Sequence, residues 1–331
     1  MALPVTDRVV RANRGGTTIL HVRHSTAGLV TAIFPKVEVI ASTCGESPLW
    51  TIGRLRRLGA RADIGLTMRN AGRAKILLRL SSRWSAGTAS QGGRSLLSWA
   101  YKPDFSRHQL HDADALLTHL GLEGVDEQWR APLPESLIVQ GRRVLQDAGI
   151  DCNAYPVGLA PGVAQGGSAK RWPEEKFGRL AALLKNGGFD PVVIIGPGEV
   201  KIARSVAMAS GIDLPVVAED LDAEGLAAVL SNLSALVGND SGPAHLASAL
   251  GVKTVALFGP TDDRRTAPMR PEGLVMRHSL ECAPCGQLKC PLAYNACLAE
   301  LDPSDVYLAV VKRFEELSPT FSPVFVARGG R

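Results

Sequence analysis

The stretch Ala235–Gly259, ALVGNDSGPAHLASALGVKTVALFG, contains a complete strand–turn–helix–strand unit. ALVG and KTVALFG are short apolar runs of the kind that sits in a sheet covered on both faces. Between them lies an alanine-rich helix. Ser241 or Gly242 stands at its cap, and Pro243 falls in the first turn, where its missing N–H costs nothing. Two covered strands joined through a helix call for parallel pairing and an α/β fold.

The same grammar extends outward in both directions. Upstream run VGLAPG (157–162, strand), WPEEKFGRLAALLKNGG (172–188, helix), PVVIIG (191–196, strand) and EVKIARSVAMASG (199–211, helix). PVVA (215–218, strand) and DAEGLAAVLSNL (222–233, helix) follow them. Pro173 and two glutamates near the start of the first helix, with glycines at its end, are the expected terminal signals. The first half alternates less clearly. TTILHV, VEVIA, ADIGLTM and RWSAGTA read as strands, while SPLWTIGRLRRLG, AGRAKILLRL, DADALLTHLG and LPESLIVQGRRVLQDAG read as helices. A turn-rich link, IDCNAYPVG, separates the halves. The expected division is therefore residues 1–153, residues 154–317 and a tail 318–331, with a ligand cleft at the carboxyl ends of parallel strands.

The 331 residues are 45% hydrophobic and 21% charged, enough apolar material for two cores. No apolar run approaches the roughly 20 residues of a membrane span. The N-terminal MALPVTDRVVRANRGG lacks the apolar core of a signal peptide, so the cytoplasm is the expected compartment. Charge is uneven: residues 1–155 carry a net +7 and the remainder −2. Between Arg54 and Arg83, nine bases face a single acid, Asp63. The run is either a solvated helical face or a surface for an anionic partner, an acidic lipid headgroup or a phosphorylated sugar. It lacks interleaved aromatics and any nucleic-acid-binding motif, so nucleic acid is not expected as a partner.

Three chemistries use the residue types of the opening stretch. A serine nucleophile needs Gly-x-Ser-x-Gly at a strand-to-helix turn, and GNDSG has the wrong spacing on both sides of Ser241. A metal set fails because Asp240 and His245 have no third ligand nearby. A phosphate cradle fits: free amides and the helix dipole face whatever lies above the strand end, and His245 is in the same first turn. Local physics leaves this reading open beside that of an ordinary capped helix.

NDSGPAHLASALGVKTVALFGPTDDRRTAP resembles the signature of the glycosyltransferase family 9 heptosyltransferases, as do the upstream PGVAQGGSAKRWPEEKFGRLAALL and the later CAPCGQLKCPLAYNACLAEL. The likeness runs from about residue 3 to residue 317 and is strongest after Tyr155. It implies a GT-B fold, two Rossmann-like domains with parallel sheets facing across a cleft. The N-terminal domain would take the acceptor and the C-terminal one the nucleotide-sugar. It further implies inverting, metal-independent transfer of heptose from ADP-heptose to a lipid-linked saccharide, the lipopolysaccharide inner core, at the inner face of the inner membrane. On this likeness Lys170, Asp240, Ser241, Gly242 and His245 bind the donor diphosphate. Glu199 holds the ribose and Leu221 packs on adenine. Asp220–Leu221–Asp222 imitates the metal-binding Asp-x-Asp of another glycosyltransferase fold, but Asp222 directly precedes a helix and reads better as its N-cap.

The family's first strand and its Gly-Asp loop, whose aspartate is the proposed base, have no counterpart here. LPVTDRVVRANRGGTTILHV fits the first helix and second strand, as though the chain starts after that loop. The other alignment sets STAGLVTAIFP on the loop and puts Leu29 where the aspartate belongs. Asp7 is the nearest carboxylate, and no catalytic residue is assigned. This keeps two other readings in view, a catalytically silent nucleotide-sugar-binding protein and a sugar-nucleotide epimerase on the same fold. The epimerase would need acid–base groups in the acceptor half, where no convincing set is found. Cys282, Cys285, Cys290 and Cys297 cluster as C-x2-C-x4-C-x6-C, which admits a structural zinc or reduced thiols packing a loop; Cys44 and Cys152 stand alone.

Overall fold

The computed structural model describes residues 2–43, 48–57, 61–68, 71–89, 94–164, 166–217, 220–268, 272–292 and 294–315. The expected tail 318–331 and Cys44 lie outside them. The chain divides into two compact units, Met1–Trp129 and Arg130–Arg331.

The first unit runs α1 (Leu3–Ala12), β1 (Ile19–Arg23), α2 (Ala27–Ile33), β2 (Glu38–Ser42), α3 (Pro48–Arg57), β3 (Ala62–Thr67), α4 (Gly72–Ser81), β4 (Ser82–Thr88), β5 (Trp99–Tyr101) and α5 (Gln109–His119). β1 pairs in parallel with β2, and neither has a second partner among the described residues. β3, β4 and β5 form another parallel set in that order. Val5 and Val9, one helical turn apart on α1, pack with Ala113 and Leu117 of α5. β5 was not anticipated: three residues are too few to show a period. Pairing of Ala86 with Trp99, and Ala89 N–H donating to Tyr101 O at 2.9 Å, create it. The basic run is not one face: Arg61, Arg73, Arg79 and Arg83 are exposed, whereas Lys75 is buried.

The second unit runs α6 (Glu135–Asp147), β6 (Pro156–Ala160), α7 (Glu174–Asn186), β7 (Asp190–Ile194), α8 (Val200–Ser210), β8 (Val216–Val217), α9 (Ala223–Leu230), β9 (Ala235–Asn239), α10 (Gly242–Ala249), β10 (Lys253–Leu257), α11 (Asp263–Thr266), β11 (Gly273–Met276), α12 (Ala296–Ala299) and α13 (Pro303–Glu315). Among its described residues six strands form one all-parallel sheet, in the order β11-β10-β9-β6-β7-β8. The apolar runs are covered on both faces, as expected of parallel strands. Val255 and Leu257 join a core with Phe177 and Leu180 of α7 and Val310 and Phe314 of α13. Ala256 and Phe258, alternating with them, join the opposite core with Leu145 of α6 and Val229 and Leu230 of α9.

Helix α6, which the sequence reading set at the end of the first half, packs on α9 and belongs to the second unit. A Cβ on Gly141 would strike the Ala228 carbonyl, so the two helices meet backbone to backbone. The expected result for Gly141→Val is a loss of at least about 1–3 kcal/mol, because a rigid carbonyl cannot give way. Urea unfolding of the variant against wild type measures it.

Candidate functional site

The chain leaves β6 toward β7 and β8 on one side of the sheet and later leaves β9 toward β10 and β11 on the other. β6 and β9 are nevertheless direct neighbours, with Ala160 opposite Gly238. Loops after such a pair diverge and open a crevice at the carboxyl edge, where α/β proteins bind ligands. The loop after β6 carries Gly162 and Lys170, and the loop after β9 carries Asp240 and Ser241. Every second-unit residue assigned to the donor by resemblance follows the carboxyl end of one of four adjacent strands: Lys170 after β6, Glu199 after β7, Leu221 after β8, and Asp240 to His245 after β9.

Asp240 organises the crevice. Its Oδ2 accepts from Lys170 Nζ at 2.7 Å and its Oδ1 faces His245 Nε2 at 3.3 Å, with the carboxylate side chain only 5% exposed. Thr261, beyond β10, donates to it as well. Burial pushes this carboxyl up, but the hydrogen bonds from His245, Lys170 and Thr261 and the Lys170 charge outweigh it and hold the pKa at about 2. Asp240 is therefore ionised throughout the neutral range and keeps the ammonium and imidazole in place. A carboxyl depressed from its ordinary 3.8 stabilises the fold fully above that value, and the contribution fades as pH falls through about 2. Asp240→Asn is expected to cost about 2 kcal/mol at pH 6 and almost nothing extra at pH 2. Urea unfolding of both proteins at the two pH values checks it.

Ser241 is the N-cap of α10, and Pro243 lies in the first turn, as the local pattern requires. Its hydroxyl makes no capping bond. Ser241 Oγ and His245 Nδ1 are buried polar atoms with no protein partner among the described residues. Orphaned buried groups are uncommon, and here two of them flank the N-terminal amides of one helix. A Cβ added to Gly242 meets nothing within 4 Å, so the space over this helix end is open. The arrangement combines an ammonium, a helix N-terminus and two uncommitted polar atoms, the means of holding a phosphate.

Glu199 immediately precedes α8 without a side-chain bond to it, and its Oε2 accepts from Gly196 N–H at 2.8 Å. Its carboxylate also lies against Gly162, where any Cβ would displace it. Leu221 is half-buried and packs with the core that contains Val229. Asp222 accepts from Gly225 N–H at 2.8 Å and is the N-cap of α9. Sequence reasoning missed Asn239, Thr261 and Gly162. Asn239 adjoins Asp240 in the opening stretch, but nothing in its spacing announces a partner 67 residues away.

The structural zinc finds no support. Among the described residues no three His, Cys, Asp or Glu side chains are placed to hold a metal ion. Cys282, Cys285, Cys290 and Cys297 are free thiols around an apolar cavity of about 120 Å³ that Leu280 and Leu292 also line. The loop is held by Gly286 N–H donating to Pro260 O at 2.7 Å, by the Asn295 side-chain Nδ2 donating to Ser168 O at 3.0 Å, and by Cys290 Sγ donating to Tyr294 O at 3.5 Å.

In the first unit, Asp7 lies within α1 and pairs with Arg11 at 2.7 Å. Leu29 is a buried residue of α2, while α1 precedes β1.

Comparison with known proteins decides the family. The model of glycosyltransferase family 9 (heptosyltransferase) matches residues 53–295, well over half of the chain. The chain belongs to glycosyltransferase family 9. Lipooligosaccharide heptosyltransferase 2 of Campylobacter jejuni is 33% identical over 156 residues, 45% of this chain and 48% of the relative. The chain thus spans about half the length of the curated relatives it matches. Solved structures align over nearly all of it. The glycosyl transferase family 9 structure from Veillonella parvula superposes with a TM-score of 0.80 at 20% identity, covering 95% of this chain and 93% of that one. The Escherichia coli ADP-heptose LPS heptosyltransferase II superposes at 0.74 with 18% identity, covering 95% of both chains. The fold of this family 9 chain is GT-B. Among its described residues no helix is long and apolar enough to cross a membrane.

Proposed function

We propose that this family 9 chain is an inverting glycosyltransferase that moves heptose from ADP-heptose to a lipopolysaccharide inner-core acceptor. The observation that carries the reading is the crevice between β6 and β9, where Lys170 and the open N-terminus of α10 face one space. Family membership and the named activity of the relatives support it.

Breaking the bond between the sugar and the diphosphate leaves negative charge on the departing ADP. Preorganised donors and cations are the groups that lower such a barrier. Lys170 supplies a full charge, the amides of α10 a partial one, and Ser241 and His245 further hydrogen bonds. This set stabilises the leaving group by itself, which is the basis for a metal-independent step. Glu199 and Leu221, on the next two strand ends, would receive the ribose and adenine. The acceptor hydroxyl would attack from the side opposite the departing diphosphate, with inversion. The exposed arginines 61, 73, 79 and 83 suit an anionic acceptor at the cytoplasmic face of the inner membrane.

A second reading, a silent nucleotide-sugar-binding protein, is favoured by one observation. Asp7 is committed to Arg11, and Leu29 is a core residue, so neither is placed as a base. Incubation with ADP-heptose, with and without a lipid A–core acceptor, separates the two. Acceptor-dependent ADP release establishes transfer; binding without release establishes the silent domain.

A further inference from the structure

We infer that Asn239 is the positioning residue of the donor site, holding the Lys170 turn and the seat of Glu199 in register with α10. The inference rests on the nucleotide reading above.

Asn239 is the last residue of β9 and is completely buried. A primary amide in such a place is costly unless both ends are satisfied, and here they are. Its Oδ1 accepts from Trp172 N–H at 2.9 Å, and its Nδ2 donates to Pro161 O at 2.8 Å. The orientation is unambiguous, since a carbonyl can only accept and a backbone N–H only donate.

Both partners stand beside donor-site residues. Trp172 is two residues beyond Lys170, and Pro161 precedes Gly162, on which the Glu199 carboxylate rests. Asn239 itself is bonded in the chain to Asp240, which grips Lys170. The residues form a closed ring: Asn239 to Trp172 through the amide, back along the chain to Lys170, across its ammonium to Asp240, and through one peptide to Asn239. Asp240 sets where the ammonium points, and Asn239 sets where the backbone carrying it stands. A displacement of about 1 Å in that backbone takes a charged donor out of hydrogen-bond range of a phosphate.

A double-mutant cycle on ADP affinity, read by calorimetry, tests the inference. Asn239→Ala is expected to weaken ADP binding about tenfold in the wild-type background and less than twofold beside Lys170→Ala, because the clamp then has no ammonium to place. Asn239→Ser retains a hydroxyl that can keep one of the two bonds and adds no buried charge. It is expected to weaken binding less than Asn239→Ala, and it continues the test if the alanine variant does not fold. Thermal unfolding of each variant reports stability separately, and a purely structural role would lower Tm equally in both backgrounds while leaving the affinity of the folded fraction intact. Equal weakening in both backgrounds, or wild-type affinity in a folded Asn239 variant, overturns the inference. If wild-type protein does not bind ADP, or Lys170→Ala does not weaken it, the nucleotide reading is what fails.

Discussion

Lys170→Ala is expected to weaken ADP binding, and to lower kcat/KM for donor, by about 100-fold. A charge-assisted hydrogen bond is worth roughly 1.5–3 kcal/mol, and a group aimed at developing charge contributes at the upper end or beyond. The loss is compounded locally. Lys170 is one of three side chains holding the Asp240 carboxylate, and without it a buried anion faces the incoming diphosphate with less compensation. Removing that anion as well relieves the repulsion, so Lys170→Ala with Asp240→Ala is expected to lose less than the two single losses combined. Lys170→Arg keeps the charge but spreads it over a planar fork, and is expected to recover only part of the affinity. Calorimetry with ADP gives the binding arm whether or not the chain turns over, and a wild-type affinity for Lys170→Ala would remove the cradle from this crevice.

Trp172→Ala is expected to cost about 3–5 kcal/mol, the largest loss of stability from one side chain in the second unit. The indole is completely buried and meets Phe177 edge-on with ring centroids 4.8 Å apart. Its Nε1 donates to Leu301 O at 3.1 Å, tying the loop after β6 to the start of α13. That carbonyl also accepts from Lys176 Nζ at 2.9 Å, so truncation leaves it partnered and the cost is chiefly the cavity. Trp172→Phe, which refills most of the space, is expected to cost less than half as much. Urea unfolding followed by far-UV circular dichroism measures both, and a loss below about 1 kcal/mol for the alanine variant would mean that the site collapses freely.

Much of the second unit was legible because its strands are covered on both faces and so read as unbroken apolar runs. VGLAPG, PVVIIG, ALVG and KTVALFG all became adjacent parallel strands. Asp222 was legible as a cap since the reason is local, a carboxylate reaching an N–H three residues on. The first unit was harder. Its strands β1 and β3 are only partly covered, yet TTILHV and ADIGLTM still carry enough β-branched and apolar residues to read as strands. β5 and β11 escaped notice because each is three or four residues long and exists through pairing. α13 was overlooked although Val306, Val310 and Phe314 carry a helical spacing and are all buried.

The sequence by itself determined the alternation of elements, the parallel sheets and the capped helix after Asn239, because each depends on hydrophobic period and on chemistry within a few residues. It also narrowed NDSGPAH to a phosphate cradle or a plain capped helix. Only the tertiary structure decided what that stretch works with. The reversal of strand order between β6 and β9 sets Lys170 beside Asp240 across 70 residues of chain. It gives the Asn239 amide its two distant partners and leaves Ser241 and His245 with uncommitted polar atoms. Strand order is a consequence of which apolar faces pack together, and that choice is made by the whole core at once.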